Sequence, residues 1–472
     1  MKCDESPYDE KEIFDLISSN RVMGLFQIET QIMRKAIPVL KPSSFDDIVA
    51  LLALDRPGPM EYIASYARRK EGKERYGFLS DDLKEILAPT YGIIIYQEQI
   101  NSIAVKMAGF SLAEADTFRR AISKKNKDVL AQLKQQFLDG AKKKGYSEKV
   151  SEEVFRDIMR FAEYGFNKSH SVVYAIIACR MAWLKVHYPL EFYTSLLGSG
   201  SATSDSKFSD YVTEMRSLGI KMLPPSINES TNNFVIRDNN ILYPLTGIRE
   251  ININTYEKIA NERNENGMFK DFFNFVLRMF GKRISDTQIR NLISAGAFDE
   301  LYPSRENMRM SVLSAMQYAE LNHNENGQLT LGIDMVAPPL MNKGEDDPLD
   351  NLDKEVAVIG LMLSDNPLSY KQELLKQKGA IKLDEAKDVD NCVTAAIVKV
   401  KKTINTKKGE QMAYVRVFDD TGELEITVFP KQYKEYSSLL EKNSIILIKL
   451  ARRISRSEIS YIAEEIKSLE DE

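Results

Sequence analysis

Basic side chains are concentrated in the stretch 119–144, which contains nine Lys or Arg and only two acids. If this stretch is helical, Arg120, Lys124 and Lys127 recur at i, i+4 and i+7 and therefore share one face. Several cations on one rigid element suit phosphate groups, and an arginine can contact two oxygens at once. Spacing alone leaves open that this is only a solvated basic face. The candidate phosphate ligands in this stretch are Arg119, Arg120, Lys124 and Lys125.

A second candidate anion site is the segment Gly165-Phe166-Asn167-Lys168-Ser169-His170, in which a glycine-containing turn opens a helix. The first turn of a helix offers free N–H groups and the positive end of the helix dipole, and both suit a triphosphate. The alternative is that Asn167 and Ser169 merely cap the helix and that His170 packs against it.

A third candidate is Arg56, which stands in the segment Arg56-Pro57-Gly58-Pro59. Two prolines around a glycine form a stiff turn, so the arginine would be held in a fixed place. A turn whose arginine pairs with a neighbouring acid would give the same pattern.

The elements that carry these residues are predicted to be helices. Ser111-x-x-Glu114 is a capping box that starts the helix of Arg119. A longer helix is expected from Lys168 toward His187, ended by Pro189. Its side chains that recur at helical spacing along one side are His170, Tyr174, Ile177, Met181 and Leu184.

The stretch 198–204 is rich in Gly and Ser and predicts a linker. Residues 205 to about 325 are again mainly helical in pattern, with a short β excursion from Phe234 to Tyr243. A second capping box starts at Ser285, and Gly296 suits the end of the helix that follows. The stretch from Gly332 to Asp353 is rich in Pro, Asp and Asn and predicts another linker.

After Cys392 the hydrophobic period changes from helical to alternating. The predicted strands are 395–402, 412–418, 423–429, 445–450 and 459–465, with a helix at 431–440. Five strands with a helix between the third and fourth is the order of an oligonucleotide-binding (OB) barrel, although other small barrels also fit. We therefore expect a multidomain protein that is mainly α-helical and ends in a small all-β barrel.

Composition limits the possible functions. The net charge is −5, from 64 Lys and Arg against 69 Asp and Glu, whereas a protein that coats DNA with its whole surface would be more basic. Any DNA contact should therefore come from local basic faces. Three separated cysteines indicate neither a zinc site nor a disulfide framework. The longest apolar run, 171–178, is too short to span a membrane, and the polar start indicates no signal peptide, so we expect a cytoplasmic protein.

Five motifs, taken in order, resemble those of the C-family of bacterial replicative DNA polymerases, the alpha subunits of DNA polymerase III. They are Met23-Gly24-Leu25-Phe26-Gln27-Ile28-Glu29-Thr30, Arg56-Pro57-Gly58-Pro59, Tyr91-Gly92-Ile93-Ile94-Ile95-Tyr96-Gln97-Glu98-Gln99, Arg119-Arg120 and Gly165-Phe166-Asn167-Lys168-Ser169-His170. The resemblance covers essentially the whole chain and is looser after residue 200. It implies that residues 1–197 form the fingers domain, which binds the incoming dNTP and the template.

By the same resemblance, residue roles in the fingers can be expected. The residues expected to contact the triphosphate are Arg119, Arg120, Lys124 and Lys125, with Lys168 and His170 completing the pocket and Arg56 and Gln97 shaping its wall. In this family, two Mg²⁺ ions are held by three palm aspartates, which would lie upstream of this chain. The Asp-x-Asp here, Asp388-Val389-Asp390, is predicted to be a solvated turn. We therefore expect a C-terminal portion that is inactive alone and leaves Mg²⁺ binding to the missing palm.

Downstream, the resemblance implies contacts with DNA and with a sliding clamp. The segment 246–251 resembles the first half of a tandem helix-hairpin-helix, with Gly247 in place but Arg249 where a second glycine is usual. The second half, 284–299, matches the family more closely, although a helical packing unit remains the alternative. Gln328, Leu329 and Leu331 resemble the clamp-binding motif, with Gly332 in place of its terminal Phe.

The barrel carries lysines and interleaved aromatic residues that suit single-stranded DNA. They are Lys399, Lys401, Lys402, Lys407 and Lys408, with Tyr414, Phe418 and Phe429. The expected domains are fingers at 1–197, a linker at 198–206, a clamp-binding and helix-hairpin-helix domain at 207–332, a linker with connecting helices at 333–390, and the OB barrel at 391–472. The expected partners are primer–template DNA, single-stranded template, dNTP, the sliding clamp and other replisome subunits.

Two competing functions remain open. One is a non-catalytic adaptor that binds DNA and the clamp. The other is an unrelated helical enzyme with its own carboxylate site, for which the sequence offers no paired carboxylates or nucleophile arrangement.

Overall fold

The protein divides into two compact units, residues 1–192 and 193–472. The computed structural model describes residues 7–56, 58–123, 127–161, 165–199, 205–323, 336–342, 344–364, 366–406, 408–455 and 458–469. Within these residues, every helix is too short or too polar to cross a membrane.

The first unit is built from helices joined by short turns. They are α1 (Lys11–Ser18), α2 (Gln31–Leu40), α3 (Phe45–Leu54), α4 (Ile63–Lys70), α5 (Asp81–Leu87), α6 (Gln97–Ala108), α7 (Leu112–Ser123), α8 (Lys127–Lys143), α9 (Glu148–Phe161) and α10 (Lys168–His187), with short 3-10 helices at Pro59–Tyr62 and Ala88–Thr90. Side-chain caps start several of them: Thr30 and Ser44 accept backbone N–H groups of α2 and α3. The predicted capping box before α7 is confirmed, because Ser111 and Glu114 exchange hydrogen bonds at 2.8 and 3.2 Å.

Helix α10 confirms the predicted helix from Lys168 to His187, but the side of it that the pattern indicated is not the buried one. His170 and Ile177 are exposed, and Tyr174 is half-buried. The buried side instead presents mainly small residues, including Ser171, Ala175, Ala178, Cys179 and Ala182. Small side chains let α10 approach α3 closely, and the Ser171 hydroxyl donates to the Val49 carbonyl at 2.6 Å.

Two hydrophobic clusters form the core of the first unit. The first contains buried residues of α1, α2, α3, α4 and α10, and the second contains residues of α5, α6, α7, α8 and α9. The segment between α5 and α6 contributes to both, since Ile93 and Ile95 lie in the first cluster and Ile94 in the second. This alternation is typical of an extended backbone buried on both sides.

The division between the units falls within α11 (Pro189–Gly198), so Pro189 starts a new helix after α10 ends. The helical part of the second unit contains α12 (Asp205–Ser217), α13 (Ile253–Asn266), α14 (Phe272–Phe280), α15 (Asp286–Ser294), α16 (Arg305–Leu321) and α17 (Pro348–Ile359), with a 3-10 helix at Leu245–Gly247. The capping box at Ser285 is confirmed by hydrogen bonds of 3.0 and 3.2 Å with Gln288. Gly296 follows α15 with a φ of +84°, as expected for a helix end.

A small sheet lies beside these helices. It contains β1 (Met222–Leu223), β2 (Val235–Arg237) and β3 (Asn240–Leu242), in the order β1-β3-β2. The predicted β excursion from Phe234 to Tyr243 is the antiparallel hairpin of β2 and β3, which turns through the left-handed residues Asp238 and Asn239. The pattern did not predict β1, which is too short to show a period.

The predicted linker from Gly332 to Asp353 is wrong in its last part. Asp347 caps α17 through its side chain and Pro348 stands at the first helical position, a pairing that favours a helix start. This helix is tied to α16 by a buried ion pair in which the Arg305 guanidinium lies 2.9 Å from the Glu355 carboxylate. Composition alone therefore hid a helix that tertiary contacts stabilise.

The chain ends in a closed barrel, which confirms the predicted OB fold. After α18 (Gln372–Gln377), β4 (Ala380–Ile381) and α19 (Leu383–Ala386) come β5 (Asn391–Asn405), β6 (Gln411–Phe418), β7 (Glu423–Val428), α20 (Pro430–Tyr436), β8 (Ile445–Ser455) and β9 (Glu458–Ser468), with 3-10 helices at Ser369–Lys371 and Ser437–Leu439. The strands close in the order β5-β6-β7-β9-β8-β5, with β7 and β9 parallel. The helix lies between the third and fourth barrel strands, as the sequence indicated.

The crossing of α6 and α8 yields a stability prediction. A Cβ atom added to Gly140 would lie 2.1 Å from the carbonyl oxygen of Ala108, so the two helices touch through their backbones. In an open helix, Gly→Ala stabilises by about 1 kcal/mol. Here we expect Gly140→Ala to lower the free energy of unfolding by roughly 1–3 kcal/mol, because the added methyl overpacks the crossing.

Urea or thermal unfolding would measure this change. Gly77→Ala is the matched control, since a Cβ atom at Gly77 would meet nothing within 4 Å. Equal stability of Gly140→Ala and the wild type would contradict the proposed close crossing.

Candidate nucleotide and nucleic-acid binding sites

Two motifs separated by about seventy residues in sequence are joined by backbone pairing. Tyr96 and Phe166 form an isolated parallel bridge. The N–H of Phe166 donates to the carbonyl of Ile95, and the N–H of Gln97 donates to the carbonyl of Phe166, both at 2.9 Å. The Gln97 side chain adds a bond of 3.0 Å to the carbonyl of Gly165. Gln97 therefore fixes the turn that opens α10.

Gln99 is a buried residue that the sequence analysis did not single out. Its side-chain oxygen accepts the N–H groups of Ile95 and Tyr96, both at 2.9 Å. Its amide nitrogen donates to the Thr90 hydroxyl at 2.7 Å. Backbone N–H groups buried without a partner are costly, so Gln99 stabilises the extended segment before α6. The sequence pattern could have indicated this role only by placing a polar residue, Gln99, on the apolar face of α6.

The N-terminus of α10 already has anionic and polar partners within the chain. The Asn167 side chain accepts the N–H of His170 at 2.9 Å, as the capping alternative proposed. Both carboxylate oxygens of Glu98 accept the N–H of Lys168 at 3.0 Å. A carboxylate at this position is favourable because it faces the positive end of the helix dipole. Phosphate binding at this turn would therefore depend on side chains rather than on these two N–H groups.

Aromatic rings form a continuous surface beside this turn. The His170 ring lies 5.5 Å from the ring of Phe166 and 4.1 Å from that of Tyr174, and Tyr174 lies 5.1 Å from Phe26. Phe26 and His170 are both exposed. The ammonium of Lys168 stands 5.4 Å from the Tyr96 ring, within the range of a cation–π contact. A flat ligand with a negative charge at one end would find both rings and a cation here.

Arg56 reaches the same place from α3. Its guanidinium lies 4.5 Å from the centre of the Phe166 ring and donates two bonds, at 3.1 and 3.2 Å, to the carbonyl of Ala53. Burial lowers the pKa of Arg56 from its ordinary value, and it raises the pKa of the adjacent Asp55. Of the predicted nucleotide residues, the described contacts thus gather Arg56, Gln97, Lys168 and His170 around one turn.

Arg119 and Arg120 lie on α7, which belongs to the second hydrophobic cluster through Phe118 and Ile122. Both guanidinium groups pair with Asp116, at 2.7 and 2.8 Å. Hydrogen bonding from Arg119, followed by the charge of Arg120, holds the pKa of Asp116 below its usual range despite some desolvation. The Arg119 side chain is 15% exposed and that of Arg120 is 69% exposed. The predicted partners Lys124 and Lys125 lie outside the described residues.

In the second unit, the hairpin around Gly247 is held by internal contacts. A Cβ atom at Gly247 would lie 2.6 Å from the Tyr243 ring, so packing alone requires a glycine there. The N–H of Arg249 donates to the carbonyl of Val358 at 2.9 Å, and its carbonyl accepts from the Asn291 side chain at 2.9 Å. The backbone N–H of Arg249 is thus engaged within the chain, while its side chain is exposed.

The barrel lysines do not form one surface. Lys399 pairs with Glu423, and Lys401 pairs with Glu441 at 2.6 Å. Lys402 is exposed and stands opposite Tyr414 in the register of β5 and β6, and Lys408 is exposed in the following turn. Lys407 lies outside the described residues.

The three barrel aromatics also differ. Phe418 is buried in the core, whereas Tyr414 and Phe429 are 36% and 43% exposed. Tyr414 is therefore the aromatic residue that shares an open face with a described lysine, Lys402.

Comparisons with known proteins match three regions of the chain. Residues 1–145 match the model of the bacterial DNA polymerase III alpha subunit finger domain, residues 219–308 match a helix-hairpin-helix motif, and residues 393–469 match an OB-fold nucleic acid binding domain. The DNA polymerase III subunit alpha of Bacillus subtilis (strain 168) is 37% identical over 469 residues, which cover 98% of this chain. The chain belongs to the DNA polymerase III alpha subunit family.

Further relatives give the same result. The DNA polymerase III subunits alpha of Halalkalibacterium halodurans and of Staphylococcus aureus (strain MSSA476) are each 36% identical, over 97% and 99% of this chain. The chain spans less than half of these relatives, namely 42% of the Bacillus subtilis, 41% of the Halalkalibacterium halodurans and 44% of the Staphylococcus aureus protein.

Members of this polymerase family use divalent metal. The described residues contain no group of three or more His, Cys, Asp or Glu side chains that could hold a metal ion. Asp388 and Asp390 are exposed beside the turn that precedes β5, as predicted. The described residues therefore do not fit a divalent metal.

The predicted clamp-binding residues Gln328, Leu329 and Leu331 lie outside the described residues. The segment that contains them follows α16, whose last described neighbour is His323.

Proposed function

We propose that the first unit forms the nucleotide-binding fingers of a replicative DNA polymerase. The observation that carries this proposal is the pairing of residues 95–97 with Phe166, which gathers Arg56, Gln97, Lys168 and His170 around one exposed aromatic surface. Membership in the polymerase family supports the same role. A dNTP would stack its base on the rings of this surface and direct its phosphates toward the cations.

The cations for the triphosphate are proposed to come from both helices. Lys168 stands beside the aromatic surface, while Arg119, Arg120, Lys124 and Lys125 contribute from the region of α7. Arg120 supports this role because its side chain is largely exposed and pairs with Asp116 at the surface, at 2.8 Å. An exposed ion pair of this kind contributes little to stability, so a phosphate can displace the carboxylate at little cost.

The second unit is proposed to bind DNA and the sliding clamp. In the hairpin of Gly247, the engaged backbone leaves the Arg249 side chain as the phosphate ligand. In the barrel, Lys402 and Tyr414 offer a cation beside an exposed ring, and Lys408 is exposed in the turn after β5. Lys407 is proposed on its sequence alone, whereas Lys399 and Lys401 already pair with Glu423 and Glu441. Gln328, Leu329 and Leu331 are proposed for the clamp on the resemblance of their sequence. We place the protein in the cytoplasm with other replisome subunits.

Nucleotide transfer is proposed to need carboxylates beyond the described residues, because a DNA polymerase holds Mg²⁺ between them. The second candidate is the non-catalytic adaptor that binds DNA and the clamp, because the described residues would equally lack catalytic carboxylates in such a protein. The two candidates can be distinguished by dNTP binding, since an adaptor has no reason to bind dNTP.

Binding of dNTP tests the proposed fingers. We expect Lys168→Ala and Arg120→Ala each to weaken dNTP binding by the purified chain about tenfold, because each removes a charged hydrogen-bond donor to the triphosphate. Equilibrium dialysis with labelled dNTP would measure the affinity. The control is Lys11→Ala, which removes an exposed lysine of α1 and should leave the affinity unchanged. Equal affinity of all four proteins would contradict the site, and no binding at all would favour the adaptor.

Primer extension tests the assignment of the carboxylates. The purified chain with primer–template, dNTP and Mg²⁺ should add no nucleotides, while the Bacillus subtilis subunit serves as the positive control under the same conditions. Template-directed extension by this chain would show that it carries a metal site of its own.

Single-stranded DNA tests the barrel surface. Tyr414→Ala should weaken binding about fivefold or more, because a stacked base contributes about 1–3 kcal/mol. Lys402→Ala should lower the slope of log affinity against log salt by about 0.7, the value for one phosphate contact on a single strand. Fluorescence anisotropy at several salt concentrations would measure both. Lys401→Ala is the control, since Lys401 already pairs with Glu441, and an equal slope change there would argue against the assignment.

A further inference from the structure

The motif Met23 to Glu29 forms a tight turn for which neither the sequence nor the comparisons give a role. Gly24 and Gln27 adopt left-handed conformations, with φ of +78° and +63°. The N–H of Gly24 donates to the Glu29 carboxylate at 2.8 Å. Leu25 and Ile28 are fully buried, whereas Phe26 is 38% exposed at the tip. The turn therefore anchors itself in the core and presents one aromatic ring.

A buried lysine of α10 holds the start of this turn. Lys185 is only 1% exposed, and its ammonium donates to the carbonyls of Arg21 and Met23 at 3.0 and 2.6 Å. The same ammonium lies 5.7 Å from the ring of Phe192. Burying an ammonium is costly unless hydrogen bonds replace its water, and the two carbonyls and the ring supply that replacement. An apolar side chain would fill the same space at lower cost, so packing alone does not account for a lysine here.

Helix α10 contacts the turn at two places. Lys185 binds its carbonyls, and Tyr174 packs against Phe26 at its tip. The two residues lie eleven positions apart, which corresponds to about 16 Å along a helix. The Tyr174 ring also packs against that of His170, in the proposed nucleotide site, with an angle of 39° between the two ring planes. Helix α10 therefore connects the turn, which it contacts through Lys185 and Tyr174, to the aromatic surface that contains His170.

We propose that Lys185 is a positioning residue for the nucleotide site. By binding the carbonyls of Arg21 and Met23, it fixes the turn so that Phe26 completes the surface of Tyr174 and His170. The effect on nucleotide binding rests on the proposed function. The effect of Lys185 on the turn can be measured without nucleotide.

The test compares Lys185→Met with the wild type in the full chain. Methionine keeps a similar volume and removes the donors. Hydrogen–deuterium exchange of residues 21–28 should become faster, while exchange in α3 stays unchanged. Affinity for dNTP should fall about two- to tenfold, the range expected for loss of one aromatic contact.

A double-mutant cycle separates positioning from general destabilisation. If Lys185 acts through Phe26, then Phe26→Ala alone weakens dNTP binding, and adding Lys185→Met weakens it little further. Independent, additive losses would overturn the proposal. Lys70→Met is the control for general destabilisation, because Lys70 donates to the Lys41 carbonyl at 2.8 Å and to the buried Asp47 carboxylate at 2.6 Å, away from this turn. It should change neither exchange in residues 21–28 nor dNTP affinity.

A second variant covers the case in which Lys185→Met fails to fold. Glu29→Ala removes the bond to the N–H of Gly24 and should produce the same two changes more weakly. Unchanged exchange in residues 21–28 for a folded Lys185→Met would overturn the proposal. If the wild type binds no dNTP, the proposed function fails, and the exchange experiment alone decides whether Lys185 holds the turn.

Discussion

Two backbone hydrogen bonds between residues 95–97 and Phe166 determine where the candidate nucleotide site forms. Each is 2.9 Å long, and together they connect segments that the whole of α6 to α9 separates in sequence. Closing so long a loop costs conformational entropy, which local contacts must offset. Gln99 offsets it from one side by satisfying buried N–H groups, and Gln97 from the other by binding Gly165. The positions of Glu98, Lys168 and His170 follow from this pairing.

Several charged groups of the candidate site already have partners within the chain before any ligand arrives. The N-terminus of α10 faces the carboxylate of Glu98, Arg56 donates to a carbonyl, and Arg119 and Arg120 share Asp116. A phosphate entering such a site exchanges partners with groups that are already bound, so the net gain in free energy is small. Under the proposed function, exchangeable pairs of this kind would let a dNTP enter and leave the site.

Local signals in the sequence predicted much of the fold. The capping box at Ser111, the start of α10 at Lys168 and the alternating strands of the barrel all depend on neighbouring residues, so a single sequence contains them. The pairing of Tyr96 with Phe166 depends on residues far apart, and no local pattern encodes it. The same limit explains why Glu98 and Gln99 were missed.

Side-chain direction was predictable only in part. Along α10, the sequence pattern indicated a side with large residues such as Tyr174, but the buried side consists mainly of small residues that permit close approach to α3. In the barrel, a run of lysines indicated one basic face, but strand alternation and the partners Glu423 and Glu441 divided it. Motifs thus identified the right segments, while packing decided which of their residues remain open.

The short strand β4 covers part of an edge of the barrel. It pairs with the first half of β5 through Ala380 and Ile381, and Leu368 and Leu375 cover the apolar residues beside it. An uncovered strand edge of this kind is a template for pairing with other chains. The segment before Asn391 thereby protects this edge of the barrel from pairing with other chains. A barrel expressed from Asn391 onward would lack β4 and would expose the edge.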